Sequence, residues 1–545
     1  MRPALVAAAL AATLALPTTG YAARYAVGVR TEAELPALRA VLLARGAEHV
    51  ESLAPLPALI VVGQAGSVLG VPGAAYVERL GTRRLVGWTP NDPLAPRQWY
   101  LAQNRAFDAW EARPPLARVR VAVIDSGIDG GHPELASRIA AARSFVGGSP
   151  MVDSHGHGTF VAGLIAAESD NAIGIAGMAP AAELVVAKVV ASDGTIPVEA
   201  EARAIRWAVA AHARVINMSL GGVRDPAHPD RDTFSALEAA AVRYAVSRGV
   251  LVVAAVGNGD QAPTLPWRYA SYPAALPHVL GVSALAQNGS SPPFSNRDAI
   301  YNDLAAPGEA ILSTFPRVLT AERPTCTNQG YSDCGPEEYS NAEGTSFAAP
   351  QVAAAAAVLL GTRPGLAAEQ VAQLLSRSAV DATVASGCSD CAASRDAFTG
   401  WGRLDVAAAV QALDRPLPPQ DRYEPNDDAG DDQATTLWGS IRRIEATLDY
   451  WDDQTDVYRV KLRRGQAVYV SVRGPNGTDT NLILWRPDTT NVDDLGKQDL
   501  RARQASRPGP REQLGYRAPK AGWYYVQVKL ASPGSGAYRL TIVKT

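Results

Sequence analysis

Five segments in the middle of the chain are apolar at nearly every position, and this feature constrains the fold more than any other. Strands buried on both faces of a sheet have this character, whereas strands of a half-exposed sheet alternate apolar and polar residues. The segments alternate with helical patterns such as Glu199 to Ala211. This alternation predicts a parallel sheet in an α/β domain. The segments are VRVAVID (119–125), ELVVAKVV (183–190), ARVINMSL (213–220), VLVVAAVGN (250–258) and HVLGVSAL (278–285).

Different patterns flank this region on both sides. Residues 24–80 contain three short strand patterns and a helical stretch over 32–44, which predicts a small α+β domain. The α/β domain is predicted to cover 92–413 and to end at a Pro-rich linker, 414–420. From 421 to 545 the chain has short alternating runs between Gly and Pro turns, which predict an antiparallel β-sandwich.

The net charge of the chain bears on its function class, and its first residues bear on its cellular location. The net charge of -3 and the pI of about 6.2 lack the basic excess of a nucleic-acid-binding protein. Arg2, an uncharged stretch over 4–16 and the small residues at 20 and 22 predict a signal peptide over 1–22. We therefore expect a secreted protein, extracellular or periplasmic, with no membrane span in the mature chain, because no later segment offers about 20 consecutive apolar residues.

The four cysteines fit an exported protein, in which thiols tend to form disulfides. Four cysteines allow three pairings. We predict the pairs that close the shortest loops, Cys326 with Cys334 and Cys388 with Cys391. The alternative is a zinc site that includes Cys388 and Cys391.

Three polar positions combine into a catalytic hypothesis. Asp125 ends a buried strand, His155 and His157 precede a helix of small residues, and Ser346 begins a long Ala-rich helix. Alone, the acid has a helix-capping or turn explanation and each histidine a structural one. Together they supply what a serine nucleophile needs, a base and an acid that orients the base. The chain order and the absence of a G-x-S-x-G motif at Ser346 argue against a lipase-like enzyme.

Pro350 lies near the start of the same helix. We expect it to be tolerated because the first N–H groups of a helix have no intrahelical partner.

The stretch from about Trp99 to Leu413 resembles the subtilisin-like serine proteases, the subtilase family. The motifs that carry this resemblance are VAVIDSGI, HGTFVAG, INMSLGG, VVAAVGN, GTSFAAP and GWGRLD. It implies that Asp125 orients, His157 is the general base and Ser346 is the nucleophile. His155 is the rival base, and Phe160 stands where the family usually has a second histidine.

The same resemblance assigns residues around the reacting carbonyl. Asn258 is implied as an oxyanion donor, although Asn-Gly is also a common turn pair. Ser219, Leu220 and Gly221 are implied to bind the substrate backbone as an added strand, with ordinary strand-end packing as the alternative.

The flanking domains have resemblances of their own. Residues 24–80 resemble the inhibitory propeptide of the family, which implies an intramolecular inhibitor cleaved off within 81–91, with an independent small domain as the alternative. Residues 421–545 resemble the bacterial pre-peptidase C-terminal domain. Its acidic residues are predicted to form solvated loops, with a cation site as the alternative; they are Asp427, Asp428, Asp431 and Asp432.

A calcium site is implied by SDNAIGIAG (169–177), which resembles a calcium-binding loop of the family. The implied ligands are the Asn171 side chain, the carbonyls of Ser169, Ile173 and Ile175, and Glu134 in place of the family's aspartate. Oxygen donors with several carbonyls suit Ca²⁺. No redox or nucleotide cofactor is expected.

The leading hypothesis is a secreted serine endopeptidase, made as a zymogen, that cleaves protein or peptide substrates through an acyl-enzyme on Ser346. One alternative is an exported binding or adhesion protein with an inactive protease fold. Another is an esterase or acyltransferase that uses the same three residues.

Overall fold

The computed structural model describes residues 23–80, 89–110, 116–260, 262–322, 338–417, 422–424, 426–430, 434–451, 453–490, 492 and 500–545. The chain divides into two compact units, 1–86 and 87–545. The predicted signal peptide, residues 81–88 of the predicted cleavage region, part of the linker, and Cys326 and Cys334 lie outside the described residues.

The first unit is a four-stranded antiparallel sheet with one helix of three turns. The strand order is β2-β3-β1-β4. Val27 and Val61 from the sheet and Leu42 from α1 are fully buried and form its core. The elements are β1 (Ala23–Gly28), α1 (Leu35–Ala44), β2 (His49–Ser52), β3 (Ala58–Gly63), α2 (Ala65–Val68) and β4 (Tyr76–Arg79).

The centre of the second unit is a seven-stranded sheet in which every pairing is parallel. Its order is β11-β10-β9-β8-β5-β7-β6. This confirms the predicted α/β fold with a parallel sheet. The strands are β5 (Val119–Asp125), β6 (Ile139–Ser144), β7 (Ala182–Lys188), β8 (Val215–Met218), β9 (Leu251–Ala255), β10 (Val279–Leu285) and β11 (Leu304–Pro307).

Both faces of this sheet are covered by helices. Along β5, Val121 and Val123 belong to the core under α5 and α9, whereas Ala122 and Ile124 belong to the core under α6 and α7. This two-sided burial explains why the strand segments are apolar at every position. The helices of this region are α3 (Trp99–Gln103), α4 (Ala106–Ala109), α5 (His157–Ala166), α6 (Val198–Ala210), α7 (Ala236–Ser247), α8 (Arg317–Glu322), α9 (Thr345–Thr362), α10 (Ala368–Ser378) and α11 (Val406–Ala412).

Helix α9 runs through the core against β8, β9 and β10. Among the described residues it is the single helix long and apolar enough to cross a membrane, and 89% of it is buried inside the protein. Two smaller features follow the main sheet. Strands β12 (Ile311–Thr314) and β13 (Tyr339–Ala342) form an antiparallel pair, and a disulfide joins Cys388 to Cys391.

The C-terminal region forms two further sheets that share a core. Their orders are β14-β16-β21-β18-β19 and β15-β22-β17-β20. All pairings are antiparallel except that of β14 with β16, which is parallel. The strands are β14 (Thr435–Leu437), β15 (Ile441–Asp449), β16 (Thr455–Leu462), β17 (Ala467–Arg473), β18 (Thr480–Trp485), β19 (Arg501–Ala505), β20 (Arg511–Arg517), β21 (Gly522–Leu530) and β22 (Ser535–Lys544).

Strand order in the parallel sheet locates a crevice. Strands β5 and β8 are neighbours, and from the end of β5 the chain continues to β6 on one side, whereas from the end of β8 it continues to β9 on the other side. Ligands of open α/β sheets bind outside the carboxyl ends of strands at such a point. Asp125 ends β5, Ser219 follows β8, and Asn258 lies shortly after β9.

Candidate active site

Asp125 and His157 are hydrogen-bonded at the carboxyl end of β5. The Nδ1 atom of His157 lies 2.8 Å from Oδ1 and 3.0 Å from Oδ2 of Asp125. The close approach of α5 to the strand end requires glycine at position 158, because a Cβ there would lie 2.2 Å from the carbonyl oxygen of Gly127. His155, the alternative base, lies beside His157 with ring centroids 6.4 Å apart.

A buried carboxylate that the sequence analysis missed, Asp153, holds this arrangement together. Asp153 is 1% exposed and accepts hydrogen bonds from the Ser126 hydroxyl, the Gly156 N–H and the N–H and hydroxyl of Thr159, all at 2.7–2.9 Å. It also accepts from the His155 N–H at 3.1 Å. The carboxylate therefore ties the turn after Asp125 to the first turn of α5. In the sequence, Asp153 could have been recognised as an acidic residue shortly before the start of a helix, where carboxylates accept hydrogen bonds from free N–H groups.

Two opposing effects set the pKa of His157. Burial lowers it, and the adjacent Asp125 carboxylate and the nearby Asp153 carboxylate together raise it by more. The resulting pKa lies above the ordinary value of 6.5. The protonated imidazole is therefore stabilised by the carboxylate, as a base that must take up a proton requires.

Ser346 is the second residue of α9 and borders the same cleft as His157. In this conformation its hydroxyl donates to the carbonyl oxygen of Ser219 at 3.1 Å rather than to His157. The next residue, Phe347, packs against the His157 ring with centroids 5.5 Å apart and against Phe160 at 4.5 Å. Phe160 therefore packs against Phe347, the residue that contacts the His157 ring.

Asn258 faces the cleft with its amide orientation fixed by Thr345. Its Oδ1 accepts from the N–H and from the hydroxyl of Thr345, both at 2.8 Å. The Nδ2 group makes no hydrogen bond to any residue that the structure describes. An anchored amide with free N–H groups can donate to an oxyanion.

The segment Ser219, Leu220 and Gly221 borders the cleft next to Ser346. Ser219 is buried, and Gly221 is exposed. A Cβ at position 221 would lie 2.2 Å from the carbonyl oxygen of Tyr272, and Gly222 pairs with Tyr272 in an antiparallel bridge. The backbone of this segment therefore borders the cleft and lies close to Tyr272.

The residues predicted to bind calcium lie together, but hydrogen-bond donors face the carboxylate. Glu134 is fully buried and accepts from the Ile175 N–H at 2.9 Å, the Asn171 amide at 3.0 Å and the Tyr339 hydroxyl at 3.0 Å. The Asn171 oxygen accepts from the Ile173 N–H at 2.7 Å.

Because Ca²⁺ requires six to eight oxygen ligands, this set of donors and acceptors does not fit the ion as arranged. The calcium prediction, including the carbonyl of Ser169, stays a prediction. Burial raises the pKa of Glu134 to about 7, against the lowering effect of the hydrogen bonds that it accepts.

Comparison with known proteins gives matches over both main regions. Residues 117–402, more than half of the chain, match the subtilase family, and residues 454–530 match the bacterial pre-peptidase C-terminal domain. Thermitase of Thermoactinomyces vulgaris is 32% identical over 327 residues, which cover 59% of this chain and 100% of thermitase. Subtilisin BL of Lederbergia lenta is 37% identical over 282 residues, 52% of this chain and 90% of the relative.

A solved structure of proteases from Pseudoalteromonas arctica PAMC 21717 covers 60% of this chain and 99% of its own, with 26% identity and a TM-score of 0.48. The family match covers the parallel sheet and the cleft that contains Asp125, His157, Asn258 and Ser346. The chain therefore belongs to the subtilase family of serine proteases.

Proposed function

We propose that the chain is a secreted endopeptidase that cleaves protein or peptide substrates with Asp125, His157 and Ser346. The observation that carries this proposal is the contact of His157 Nδ1 with Asp125 beside a cleft that also contains Ser346 and Asn258. This contact fixes the ring so that Nε2 is the nitrogen left to exchange protons.

Acylation begins when the Ser346 hydroxyl leaves the Ser219 carbonyl by rotation about the Cα–Cβ bond and donates to His157 Nε2. Ser346 Oγ attacks the substrate carbonyl carbon while its proton passes to His157. The imidazolium next to Asp125 then gives that proton to the leaving amine, and the C–N bond breaks. Water, deprotonated by His157, hydrolyses the resulting ester and restores the Ser346 hydroxyl.

The tetrahedral intermediate carries a negative oxygen, for which Asn258 is the proposed donor. Its amide N–H groups and the backbone N–H of Ser346 at the start of α9 are the donors proposed for this oxygen. Ser219, Leu220 and Gly221 are proposed to pair with the substrate backbone as an added strand.

Production as a zymogen is the second part of the proposal. Residues 1–22 direct export, and residues 24–80, whose sheet has its own buried core, inhibit the enzyme until cleavage within 81–91. In a Ser346→Ala variant we expect the secreted product to keep residues 24–80. Mass spectrometry of the amino terminus measures this, and release of that segment by the variant alone contradicts self-processing.

A fluorophosphonate probe tests the catalytic assignment. We expect the probe to label the parent protein, and labelling to be lost in Ser346→Ala and in His157→Ala. His155→Ala separates the two histidines, since it should keep its labelling if His157 is the base. Unlabelled parent protein with a folded circular dichroism spectrum indicates an inactive binding protein, and ester cleavage without peptide cleavage indicates an esterase or acyltransferase.

A further inference from the structure

One face of the sheet β15-β22-β17-β20 in the C-terminal domain is exposed. The side chains on the opposite face, such as those of Val470, Val472 and Leu514, are buried in the core that the two sheets share. Successive side chains of a strand point to opposite faces, so the residues between them point outward. We call this exposed side of the sheet the outer face. On β17 and β20 its residues are Tyr469, Ser471, Arg473, Arg511, Gln513 and Gly515, all exposed.

Three arginines lie side by side across the outer face. Arg473 of β17 is paired with Arg511 of β20 on one side and with Arg539 of β22 on the other. Directly opposite residues of neighbouring antiparallel strands have Cβ atoms about 4.5–5.5 Å apart, and like charges in these positions are destabilising. The sheet therefore carries three adjacent positive charges that weaken its own strand pairing. We call these three residues the arginine row.

An acidic side chain offsets the arginine row at one end only. Glu445 of β15 is opposite Arg539, and the two form an ion pair of 2.7 Å in which the side chains are 67% and 72% exposed. An ion pair exposed to this degree contributes little to stability. Arg473 and Arg511 form no ion pair with any residue that the structure describes. Two of the three guanidinium groups are therefore available to an anionic ligand.

A groove on the outer face is bordered by the arginine row and by two more arginines, Arg503 of β19 and Arg507. Its volume of about 1180 Å³ exceeds the roughly 300–1,000 Å³ of pockets that hold small molecules. Among the described residues that line it, Glu512 is the one acidic side chain. Glu512 is 6% exposed and accepts a hydrogen bond from the backbone N–H of Arg507. Positive charge is thus concentrated here, although the whole chain has a net charge of -3.

A second row of side chains on the outer face is apolar. Tyr469 of β17 is opposite Val543 of β22, and Val543 is opposite Ile441 of β15. Tyr469 is 57% exposed and Ile441 is 58% exposed. Tyr469 lies four residues along β17 from Arg473, a distance of about 13 Å at the rise of a strand. Arginine and tyrosine are among the residue types that dominate the binding energy of protein interfaces.

The combination of the two rows favours a polypeptide over other polyanions. Asp and Glu carboxylates are bidentate partners of arginine, and a polypeptide can present them together with apolar side chains. Proteins that bind single-stranded nucleic acid stack successive bases on aromatic side chains. Tyr469 is the one aromatic residue among the described residues of the groove. A polysaccharide of uniform charge would leave the apolar row without a partner.

We propose that the outer face binds acidic segments of protein substrates, with carboxylates on the arginine row and apolar side chains against Tyr469. The inference rests on the proposed peptidase function for the identity of the ligand as a substrate, whereas binding itself requires no catalysis. The C-terminal domain contacts the catalytic domain, since the indole N–H of Trp401 donates to the Trp451 carbonyl at 3.1 Å. A protein held on the outer face is therefore tethered to the enzyme, which raises its effective concentration at the active site.

Peptide binding to the full chain tests the surface without catalysis. The Ser346→Ala protein is compared with the same protein carrying Arg473→Gln and Arg511→Gln, or the control changes Arg463→Gln and Arg464→Gln. The control arginines are exposed between β16 and β17 in the same domain, so both variants lose an equal charge.

The probe is a fluorescent Glu-rich peptide that also contains Leu, and its control has Gln in place of Glu. By fluorescence anisotropy we expect the outer-face variant to bind the Glu peptide at least tenfold more weakly than the parent, and the control variant to bind it within twofold. Equal binding by all three proteins, or equal binding of the Glu and Gln peptides, overturns the proposal.

The melting temperature separates a binding role from a structural one. Without peptide, the variant carrying Arg473→Gln and Arg511→Gln should melt at a higher temperature than the parent, because it removes like charges from neighbouring strands. A melting temperature below that of the control variant indicates that these arginines stabilise the fold, and it contradicts the proposal.

Competition identifies the class of ligand. A sulfated polysaccharide and a single-stranded DNA oligonucleotide, each matched to the peptide in number of charges, should displace the labelled peptide only at higher concentrations than the unlabelled peptide does. Stronger displacement by either polymer overturns the assignment to a polypeptide.

Steady-state kinetics of the active enzyme tests the role in substrate capture. For a protein substrate with a Glu-rich segment, Arg473→Gln and Arg511→Gln together should raise KM at least threefold with little change in kcat. An uncharged tetrapeptide substrate should show no such rise. Peptide binding without the change in KM overturns the substrate part of the proposal. An inactive parent enzyme contradicts the proposed peptidase function instead, and the binding measurements on the Ser346→Ala protein still decide whether the outer face binds acidic peptides.

Discussion

The hydroxyl of Ser219 donates to the carbonyl oxygen of Ser346 at 2.7 Å, and this bond takes the place of one that α9 cannot make. Pro350 has no N–H, so the carbonyl four residues earlier, that of Ser346, loses its helical donor. From the sequence, Pro350 was expected to be tolerated because the first N–H groups of a helix have no intrahelical partner. That explanation was wrong, because Pro350 lies five residues after Thr345, where the helix begins.

Ser219→Ala should therefore destabilise the enzyme and reduce its activity. The change leaves the Ser346 carbonyl without its donor in a partly buried position, and an unsatisfied group of this kind costs about 1–3 kcal/mol where water does not reach it. We expect a lower free energy of unfolding in the Ser346→Ala background, and a lower kcat/KM in the active enzyme. Ser247→Ala is the control, since its hydroxyl donates to the Tyr244 carbonyl at 2.8 Å on an exposed helix end where water can replace it. Equal losses in the two variants contradict this explanation.

The contact between Asp125 and His157 predicts the pH dependence of activity. His157 accepts a proton only in its neutral form, and Asp125 raises its pKa above 6.5, so kcat/KM should rise with pH through a midpoint above 6.5. Asp125→Asn removes the group that raises the pKa, and we expect a lower midpoint together with a loss of about 10⁴-fold in kcat. Rates on a peptide substrate between pH 5 and 10 measure both. Asp230→Asn, at an exposed position, should leave the midpoint in place.

Substitutions of Asn258 and Thr345 should have coupled effects on the rate of the chemical step. Asn258→Ala removes the proposed oxyanion donor, and the loss expected for such a donor is about 10²- to 10³-fold in kcat. KM should change little, because the oxyanion exists only in the transition state and intermediate. Thr345→Val removes one of the two anchors of Asn258 and should give a smaller loss of kcat. Steady-state kinetics of the double variant should show no loss beyond that of Asn258→Ala, whereas additive losses contradict the anchoring role.

The sequence predicted the parts of the fold and site that depend on local pattern. The apolar segments gave the positions of β5, β7, β8, β9 and β10, while the edge strands β6 and β11 were missed. Strand β6 has no fully buried residue, and its alternation is therefore weak. Strand β2 was missed for a similar reason, since only Val50 of its four residues is buried.

The sequence did not predict the contacts between residues that are far apart along the chain. Asp153 accepts hydrogen bonds from the turn before it and from the helix after it. The hydrogen bond between Ser219 and Ser346 spans 127 residues of the chain, and the one between Glu134 and Tyr339 spans 205. These pairings depend on how β5, β8 and α9 converge, so motif spacing alone does not reveal them. The candidate catalytic residues could be recognised from their motifs, whereas the buried polar groups that contact them could not.

The titration of Glu134 makes the free energy of unfolding depend on pH, and the sign of this dependence follows from the raised pKa of its carboxyl. Its pKa rises from 4.5 to about 7 on folding, so the folded state binds more protons between these values. Stability contributed by this group is therefore present below about pH 4.5 and is lost as pH rises through about 7, by at most about 3 kcal/mol. Glu134→Gln cannot ionise and should gain stability relative to the parent as pH rises from 5 to 8.

Thermal unfolding of Ser346→Ala proteins with and without Glu134→Gln, in chelator and in calcium, measures this effect. The hydrogen bonds from Ile175, Asn171 and Tyr339 predict that the relative gain at pH 8 is the same in both solutions. A calcium ion held by Glu134 predicts the opposite at pH 8, because the variant would then lose a ligand and melt at a lower temperature than the parent in calcium alone. Comparison of the two solutions thus decides whether this buried carboxyl functions as a hydrogen-bond acceptor or as a cation ligand.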